Sequence, residues 1–442
     1  MNQKTFKQGG IKLKNSKKVT EDLPIELIPD PDFVVIPLSQ HFGAPSKPIV
    51  KKGDFVKIGQ IIGEAIGKMG SNVHSSVSGE VIDVANYPHP IELESLAIKI
   101  KNDQKSDWFT GQNSESNRLP FEREEIIKNI LDNGIVGLGG AGFPTHIKLS
   151  PPPTSFVDTL IINGAECEPY LTADYRLMIE NTKQILEGIR ILLKVHPFKT
   201  VYIGIEKHNH KAIQAFESAL PSLKVDVPVK VVSLKEKYPQ GAEKNLIYAI
   251  TKRIVPLYKL PYDIGVIVQN VGTLFSVYES YMLNKPLIER VVTVSGDCIS
   301  TPKNLKVKIG TMLKDIIEAC GGLTKEPEKI IFGGPMMGIS QRSLEVPVIK
   351  GTSGVLVFEK DPALISENCI RCGRCIQNCP SGLMPLKIVE YYQAEDFESY
   401  NKYYPLACIE CGICAYVCPA KINLVNHIKL AKHEIQKRRV NK

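Results

Sequence analysis

Cys369-Ile-Arg-Cys372-Gly-Arg-Cys375-Ile-Gln-Asn-Cys379-Pro380 returns, in spacing and residue type, as Cys408-Ile-Glu-Cys411-Gly-Ile-Cys414-Ala-Tyr-Val-Cys418-Pro419. Both read C-x2-C-x2-C-x3-C-P, the spacing of two-cluster ligation. Three thiolates two residues apart on a tight loop can reach three irons of one cube, and the fourth serves the neighbouring cube. One [4Fe-4S] cluster would take Cys369, Cys372, Cys375 and Cys418. The second would take Cys408, Cys411, Cys414 and Cys379. Gly373 and Gly412 let the backbone approach inorganic sulfur, and Pro380 and Pro419 end the loops. Structural zinc is the competing reading, but it uses C-x2-C pairs with a longer gap between them. Three cysteines in seven residues and then a fourth, twice over, do not suit one tetrahedron. The spacing predicts helix then loop over Leu383 to Pro405. It also predicts a helix over Ile422 to Lys437, with Leu424, Ile428 and Leu430 on its apolar side.

The remaining cysteines are isolated. Cys298 and Cys320 read as small buried side chains, and Cys167 as a packing residue. Eight of eleven cysteines cluster in the two cassettes, which points to metal rather than to disulfides. The lysine-rich start, Met1 to Lys18, has no apolar stretch behind it and is not a secretory signal. No apolar run approaches the ~20 residues of a membrane-spanning helix. The expected place is therefore the cytoplasm. The net charge of +8 is concentrated at the two ends, in Lys4, Lys7, Lys12, Lys14, Lys17 and Lys18 and again from Lys429 to Lys442. These read first as solvated ends, and alternatively as contacts for anionic lipid or an acidic partner. With one tryptophan and no aromatics interleaved with Lys/Arg, a nucleic-acid partner is not expected.

Upstream, Gly134-Ile-Val-Gly137-Leu-Gly139-Gly140-Ala-Gly142-Phe143-Pro144-Thr145 contains G-x-G-x-x-G. A dinucleotide fingerprint follows a strand and opens a helix. Here helical periodicity precedes the loop (Ile126, Ile127, Ile130, Leu131) and Pro144 follows it, so that context fails. What survives is a loop of amides able to approach a flat or anionic ligand. Next, Thr159 to Ile162 reads as a strand ending in Asn163-Gly-Ala-Glu166-Cys167-Glu168-Pro169. Strands at Thr200 to Ile205, Val229 to Leu234 and Asp263 to Gln269 alternate with helices at Lys211 to Leu220 and Gly241 to Arg253. This rhythm predicts an α/β domain with a largely parallel sheet. Ligands of such sheets bind beyond the carboxyl ends of strands. Asn163, the loop Tyr238 to Lys244 and Gln269-Asn270-Val-Gly272-Thr273 should therefore converge on one crevice.

Gly137 to Lys148, Asn163 to Pro169 and Gln269 to Thr273 resemble the FMN- and NADH-binding subunit of respiratory complex I. The order of the whole chain is similar to the C subunits of Rnf ion-translocating ferredoxin:NAD oxidoreductases. Gly9-Gly10, Pro37-Leu-Ser-Gln40-His41-Phe-Gly43-Ala-Pro45, Tyr238 to Lys244 and the twin cassettes carry that likeness. The resemblance implies that Gly137, Gly139, Lys148, Asn163, Glu166, Gln269, Asn270 and Thr273 hold non-covalent FMN. It implies that Phe143, Glu168 and Glu243 face NAD(H) as the catalytic group. Ala165 departs from the complex I pattern, which has aspartate there, and Cys167 stands where that family has glycine.

The implied fold is multidomain α/β and α+β. An N-terminal barrel-sandwich β-domain spans residues 1–110, and a complex I flavoprotein-like α/β domain spans 120–285. An SLBB-like β-grasp insert spans 288–345, and a two-cluster ferredoxin-like α-helical domain spans 360–442. Val50 to Gln60 with Val73 to Ile82 resembles lipoyl-type hairpins, but the turn Val77-Ser78-Gly79 has no carrier lysine, so that domain reads as structural. In the insert, Val291 to Cys298 and Leu305 to Ile309 read as strands and Met312 to Ala319 as a helix, with Met336-Met337 as core. The insert itself is expected to pack, covering the flavin site.

The resemblance implies a peripheral electron-input/output subunit on the cytoplasmic face of the bacterial plasma membrane. Hydride would pass between NAD(H) and FMN, and single electrons through the clusters. Its partners would be the integral-membrane and iron–sulfur subunits of the Rnf complex, with ferredoxin reached indirectly. Two alternatives stand beside it. One is an electron wire with no nucleotide site. The other is a microcompartment cobalamin reductase, against which the N-terminal position of the barrel-sandwich argues.

Overall fold

A computed structural model describes residues 4–111, 113, 122–360 and 365–440. Residues 1–3, 120–121, 361–364 and the last two, all within the ranges above, lie outside the described residues.

The centre is a four-stranded, wholly parallel sheet in the order Val229–Leu234, Thr200–Glu206, Thr159–Gly164, Val266–Asn270. Its strands are near-continuous Val/Ile/Leu runs because both faces are covered. Alternation divides them: Leu160 and Ile162 join the core under helices Thr182–Leu192 and Val271–Leu283, whereas Ile161 joins the core under Glu243–Thr251. Asn163 and Asn270 are paired neighbours in the ladder, so their strands end side by side.

Two β-layers form the N-terminal part. One is the antiparallel sheet Phe33–Pro37, Glu94–Asn102, Gly79–Pro88, Phe55–Val56, and the other is Lys47–Pro48, Ile61–Glu64, Val73–His74. The insert is a six-stranded mixed sheet built on Glu289–Ser295, Lys303–Lys308, Lys329–Phe332 and Gly354–Phe358, with helix Leu313–Ala319 packed on it. Its edge strand, Ile25–Leu27, comes from the N-terminal part, ahead of the strands of the two β-layers, and pairs in parallel with Lys303–Lys308. This long-range pairing leaves no local signal.

Several expectations are corrected. The stretch from Leu383 to Pro405 carries two helices, Pro385–Gln393 and Phe397–Lys402, not one. The terminal helix begins at Leu424 and buries Leu424, Ile428, Ala431 and Ile435, at a repeat of three to four residues; Leu430 lies off that stripe and is exposed. Met337 is exposed and Met336 half-buried, so neither fills a core; their loop meets the ferredoxin part instead.

The basic start is not a solvated end. Residues 4–20 form an arm between the α/β and ferredoxin parts. Lys4 bridges Leu234, and the Ile11 and Tyr238 backbones exchange hydrogen bonds at 3.0 and 2.7 Å. The Gly10 amide donates to the Asn378 carbonyl at 3.0 Å. Lys17 is buried, donating to the carbonyls of Glu166 and of Leu171. Lys7, Lys12, Lys14 and Lys18 face outward. Gly9 has φ +60°, and a Cβ there would lie 2.5 Å from the Cys379 carbonyl. Gly9→Ala is therefore expected to detach the arm from the first cassette. It adds the left-handed penalty of about 1–2 kcal/mol to a clash with rigid backbone. Proteolysis in the arm under anoxic conditions should speed up, while the rest of the chain stays resistant.

Candidate functional site

The strand ends bring the sequence-selected residues to one crevice. The glycine loop is closed at its base by a bridge between Val136 and Pro144 and by the Gly137 amide donating to the Phe143 carbonyl at 2.8 Å. It is fixed to the sheet by Thr273, whose buried hydroxyl accepts from the Leu138 amide at 3.0 Å. Gly139 lies against Asn270: a Cβ there would come within 2.8 Å of the Asn270 amide nitrogen, so only glycine permits the approach. Gly140 faces open space, with nothing within 4 Å of a Cβ position.

Asn163 donates to the Gly241 carbonyl at 2.9 Å and accepts from the Ala165 amide at 3.1 Å, tying the first strand end to the Tyr238–Lys244 loop. Asn270 caps helix Val271–Leu283 through the Gly272 amide and donates to Asp174 at 2.6 Å. Lys148 and Glu243 meet as a half-exposed ion pair at 2.6 Å. Gln269 is 2% exposed, and its Nε2 has no hydrogen-bond partner. A buried amide donor at the carboxyl end of a parallel strand is costly unless a ligand accepts from it. A flavin edge, rich in carbonyl and ring-nitrogen acceptors, meets that need, so the donors present fit FMN.

The two inner glutamates are hydrogen-bonded within the protein. Glu166 accepts from the amides of Asp174 (2.9 Å) and Tyr175 (3.2 Å) at the start of helix Ala173–Glu180, where a carboxylate suits the helix dipole. Burial pushes its pKa up to about 7, against the pull of Lys17. Glu168 accepts from the amides of Met336 (3.0 Å) and Met337 (2.9 Å), and burial also raises it to about 7. The Tyr238 hydroxyl lies 3.3 Å from Glu168 and donates to the Cys411 carbonyl at 2.9 Å. Gly412, next in the second cassette, presses on the Met336 carbonyl, 2.7 Å from where a Cβ would stand. The α/β part, the insert and the second cassette therefore meet at Glu168 and Tyr238.

Cys379, Cys408, Cys411 and Cys414 line one cleft. Burial raises the Cys414 and Cys411 thiols, and the charges of the neighbouring cysteines raise them further. Cys379 thus sits with the second cassette's thiols although it belongs to the first. Among the described residues, no three His, Cys, Asp or Glu groups are placed to hold a single metal ion. The two cassettes fold alike. Arg371 and Glu410 have φ +54° and +58°, and their amides donate to the sulfurs of Cys369 and Cys408, both at 3.3 Å. Gly373 and Gly412, both left-handed, open short helices. Amide-to-sulfur bonds and a thiol-only donor set fit iron–sulfur ligation. Cys369 and Cys372 are exposed, whereas Cys411 and Cys414 are buried.

Three contributors were not singled out from sequence. Arg290, buried in the insert, donates to the Leu138 carbonyl at 3.3 Å. Lys350, fully buried, donates to the carbonyls of Asn72 (2.7 Å) and Gly134 (2.8 Å), joining three parts of the chain. Lys17 is the third. A lysine in a loop carries no local mark of burial.

Residues 130–279 match the Nuo51 FMN-binding domain, residues 4–105 the RnfC barrel sandwich hybrid domain, residues 291–340 the SLBB domain and residues 367–422 the 4Fe-4S dicluster domain. A relative in Clostridium ljungdahlii, the C subunit of a proton-translocating ferredoxin:NAD(+) oxidoreductase complex, is 46% identical over 98% of this chain and 94% of its own. The chain belongs to the family of C subunits of ion-translocating ferredoxin:NAD(+) oxidoreductase complexes. The C subunit of the Na(+)-translocating complex of Acetobacterium woodii is 44% identical over 99% of both chains. A Rhodobacter capsulatus relative is 41% identical over 98% of this chain and 84% of its own. An NAD+-reducing [NiFe]-hydrogenase structure shares the fold at a TM-score of 0.53 and 19% identity, over 70% of this chain and 61% of that one. The family membership, the four-part fold and the FMN and iron–sulfur cofactors agree with the sequence expectations.

Two outcomes test this geometry. Cys379→Ser should remove the cluster of the second cassette and spare that of the first, read as a halved iron count with one EPR signal retained. Loss of the first cassette's signal instead would reverse the assignment. Glu206 is 1% exposed, one of its oxygens has no partner, and burial raises its pKa to about 7 from 4.5. A carboxyl raised on folding costs stability as pH climbs from the unfolded to the folded value, and the cost is complete above the latter. Glu206→Gln should therefore raise the unfolding temperature at pH 8 and leave it nearly unchanged at pH 4.5. The expected gain is roughly 3–4 kcal/mol at about 1.4 kcal/mol per unit.

Proposed function

We propose that the chain is the peripheral NAD(H)-facing electron module of its complex, exchanging hydride at the crevice and single electrons through the two cassettes. It is an oxidoreductase subunit of a multisubunit ion-translocating complex. No helix among the described residues is long and apolar enough to cross a membrane. The reading places it peripherally, on the cytoplasmic face, against integral-membrane and iron–sulfur subunits, with ferredoxin reached through them.

In this reading Gly137, Gly139, Lys148, Asn163, Gln269 and Thr273 form the flavin cradle, and Phe143 and Glu243 stand at its mouth toward the nucleotide. Glu166, Glu168 and Asn270 serve the cradle from behind, through the helix caps and the loop they hold. Bound FMN converts electron pairs to single electrons, which nicotinamide and a cubane cannot do between themselves.

The observation that carries the reading is the contact between Tyr238 and the Cys411 carbonyl. The loop lining the crevice is bonded to a ligand of the second-cassette cluster, so the two redox sites share an ordered wall. That cluster is taken as the first to exchange electrons with the crevice. The exposed first cassette is taken as the exit to the partner.

Anoxic purification should yield one FMN and two cubanes per chain, and NADH should bleach the flavin before the clusters. Two clusters with no flavin would leave only the wire. Tyr238→Phe keeps the ring and deletes the hydroxyl. Flavin bleaching by NADH should stay within about twofold, while cluster reduction slows by the larger factor of one lost hydrogen bond, roughly three- to tenfold.

A further inference from the structure

The sharpest unassigned feature of the crevice rim is Phe42. It is contributed by the barrel-sandwich part and is 57% exposed. Its ring stacks on Phe143 of the glycine loop, centroids 6.0 Å apart and planes at 26°. It is not a loose side chain. The Phe42 amide donates to the Gly142 carbonyl at 3.0 Å, and a Cβ on Gly142 would lie 3.3 Å from the Gln40 carbonyl. On its other side Gly43 holds φ +137° and packs where a Cβ would meet the Met69 carbonyl at 2.6 Å. Backbone on both sides fixes the ring, and its outer face is left to solvent.

We infer that Phe42 extends the Phe143 stack to a two-ring platform that receives the adenine of NAD(H). This rests on the proposed dinucleotide site. The ligand has two flat ends. The nicotinamide must enter the crevice to exchange hydride, between the glycine loop and the strand ends. Phe42 stands on the rim of that crevice, on a different part of the chain, stacked on Phe143 of the glycine loop. The end left for it is the adenine, and an aromatic face is what an adenine binds without needing hydrogen bonds. The barrel-sandwich, which carries no lysine for a prosthetic group, thereby acquires a part in substrate binding.

The test uses the anoxically purified, flavin-loaded full chain and its Phe42→Ala and Phe42→Tyr variants. Flavin and iron counts should be equal in all three, since the ring is mostly exposed. In Phe42→Ala the KM for NADH and the inhibition constant of ADP-ribose should both rise roughly three- to tenfold, the scale of one aromatic contact. The KM for reduced nicotinamide mononucleotide, which lacks the adenylate half, should not move, and Phe42→Tyr should restore both affinities. Unchanged NADH and ADP-ribose affinities would overturn the inference while leaving the flavin and hydride reading intact. An equal rise for the mononucleotide would also overturn it, because Phe42 would then act only by propping Phe143. A flavin-loaded wild-type chain that oxidises no NADH would sink the dinucleotide reading and the inference with it.

Discussion

Glu168 is a half-buried carboxyl group, and three parts of the molecule are arranged to hold it. The Met336 and Met337 amides come from the insert and the Tyr238 hydroxyl from the crevice loop, which itself bonds the second cassette. A buried acid without such partners is unfavourable by several kcal/mol, and each donor left without it would cost about 1–3 kcal/mol. The result is mutual dependence: the insert loop, the crevice loop and the cassette cannot shift separately without exposing one another's polar groups. That is a suitable base for two redox centres whose separation must not drift.

The acidic interior of the α/β part needs a counter-charge, and two cations from outside it supply one. Lys17, from the N-terminal arm, lies among Glu166, Glu206 and Asp174, and Arg290, from the insert, faces Asp174 and Glu166. Both are themselves buried and bonded to carbonyls. The crevice is thus completed by parts that a free α/β domain would lack, which explains why the arm runs inward instead of dissolving in solvent.

The two cassettes have the same backbone but opposite surroundings. The second is wedged between the crevice loop and the insert, with Cys411 and Cys414 buried; the first presents Cys369 and Cys372 at the surface. Equal local chemistry thus stands in unequal environments, one cassette against the crevice loop and the other with two cysteines at the surface.

The residues by themselves determined the cofactors and the class of each part. Cysteine spacing is a local property that dictates reach to a cube, and the β/α rhythm with its uninterrupted Val/Ile/Leu runs dictates a parallel sheet with both faces covered. Asn163, Gln269 and Thr273 could be placed in one crevice because strand ends of such a sheet lie together. What only the tertiary structure decided is which groups are free and which are engaged. Nothing in the sequence marks Glu166 and Glu168 as engaged within the protein, and the fold has Glu166 accept from a helix start and Glu168 from the insert loop. Lys17 looks like a solvated charge and is buried. Leu430 looks like core and is exposed. For Lys17 and Glu168 the deciding partners are more than a hundred residues away; for Glu166 they open the next helix, and for Leu430 the packed face is another one, and burial and hydrogen bonding depend on such packing, which no local pattern of residues can encode.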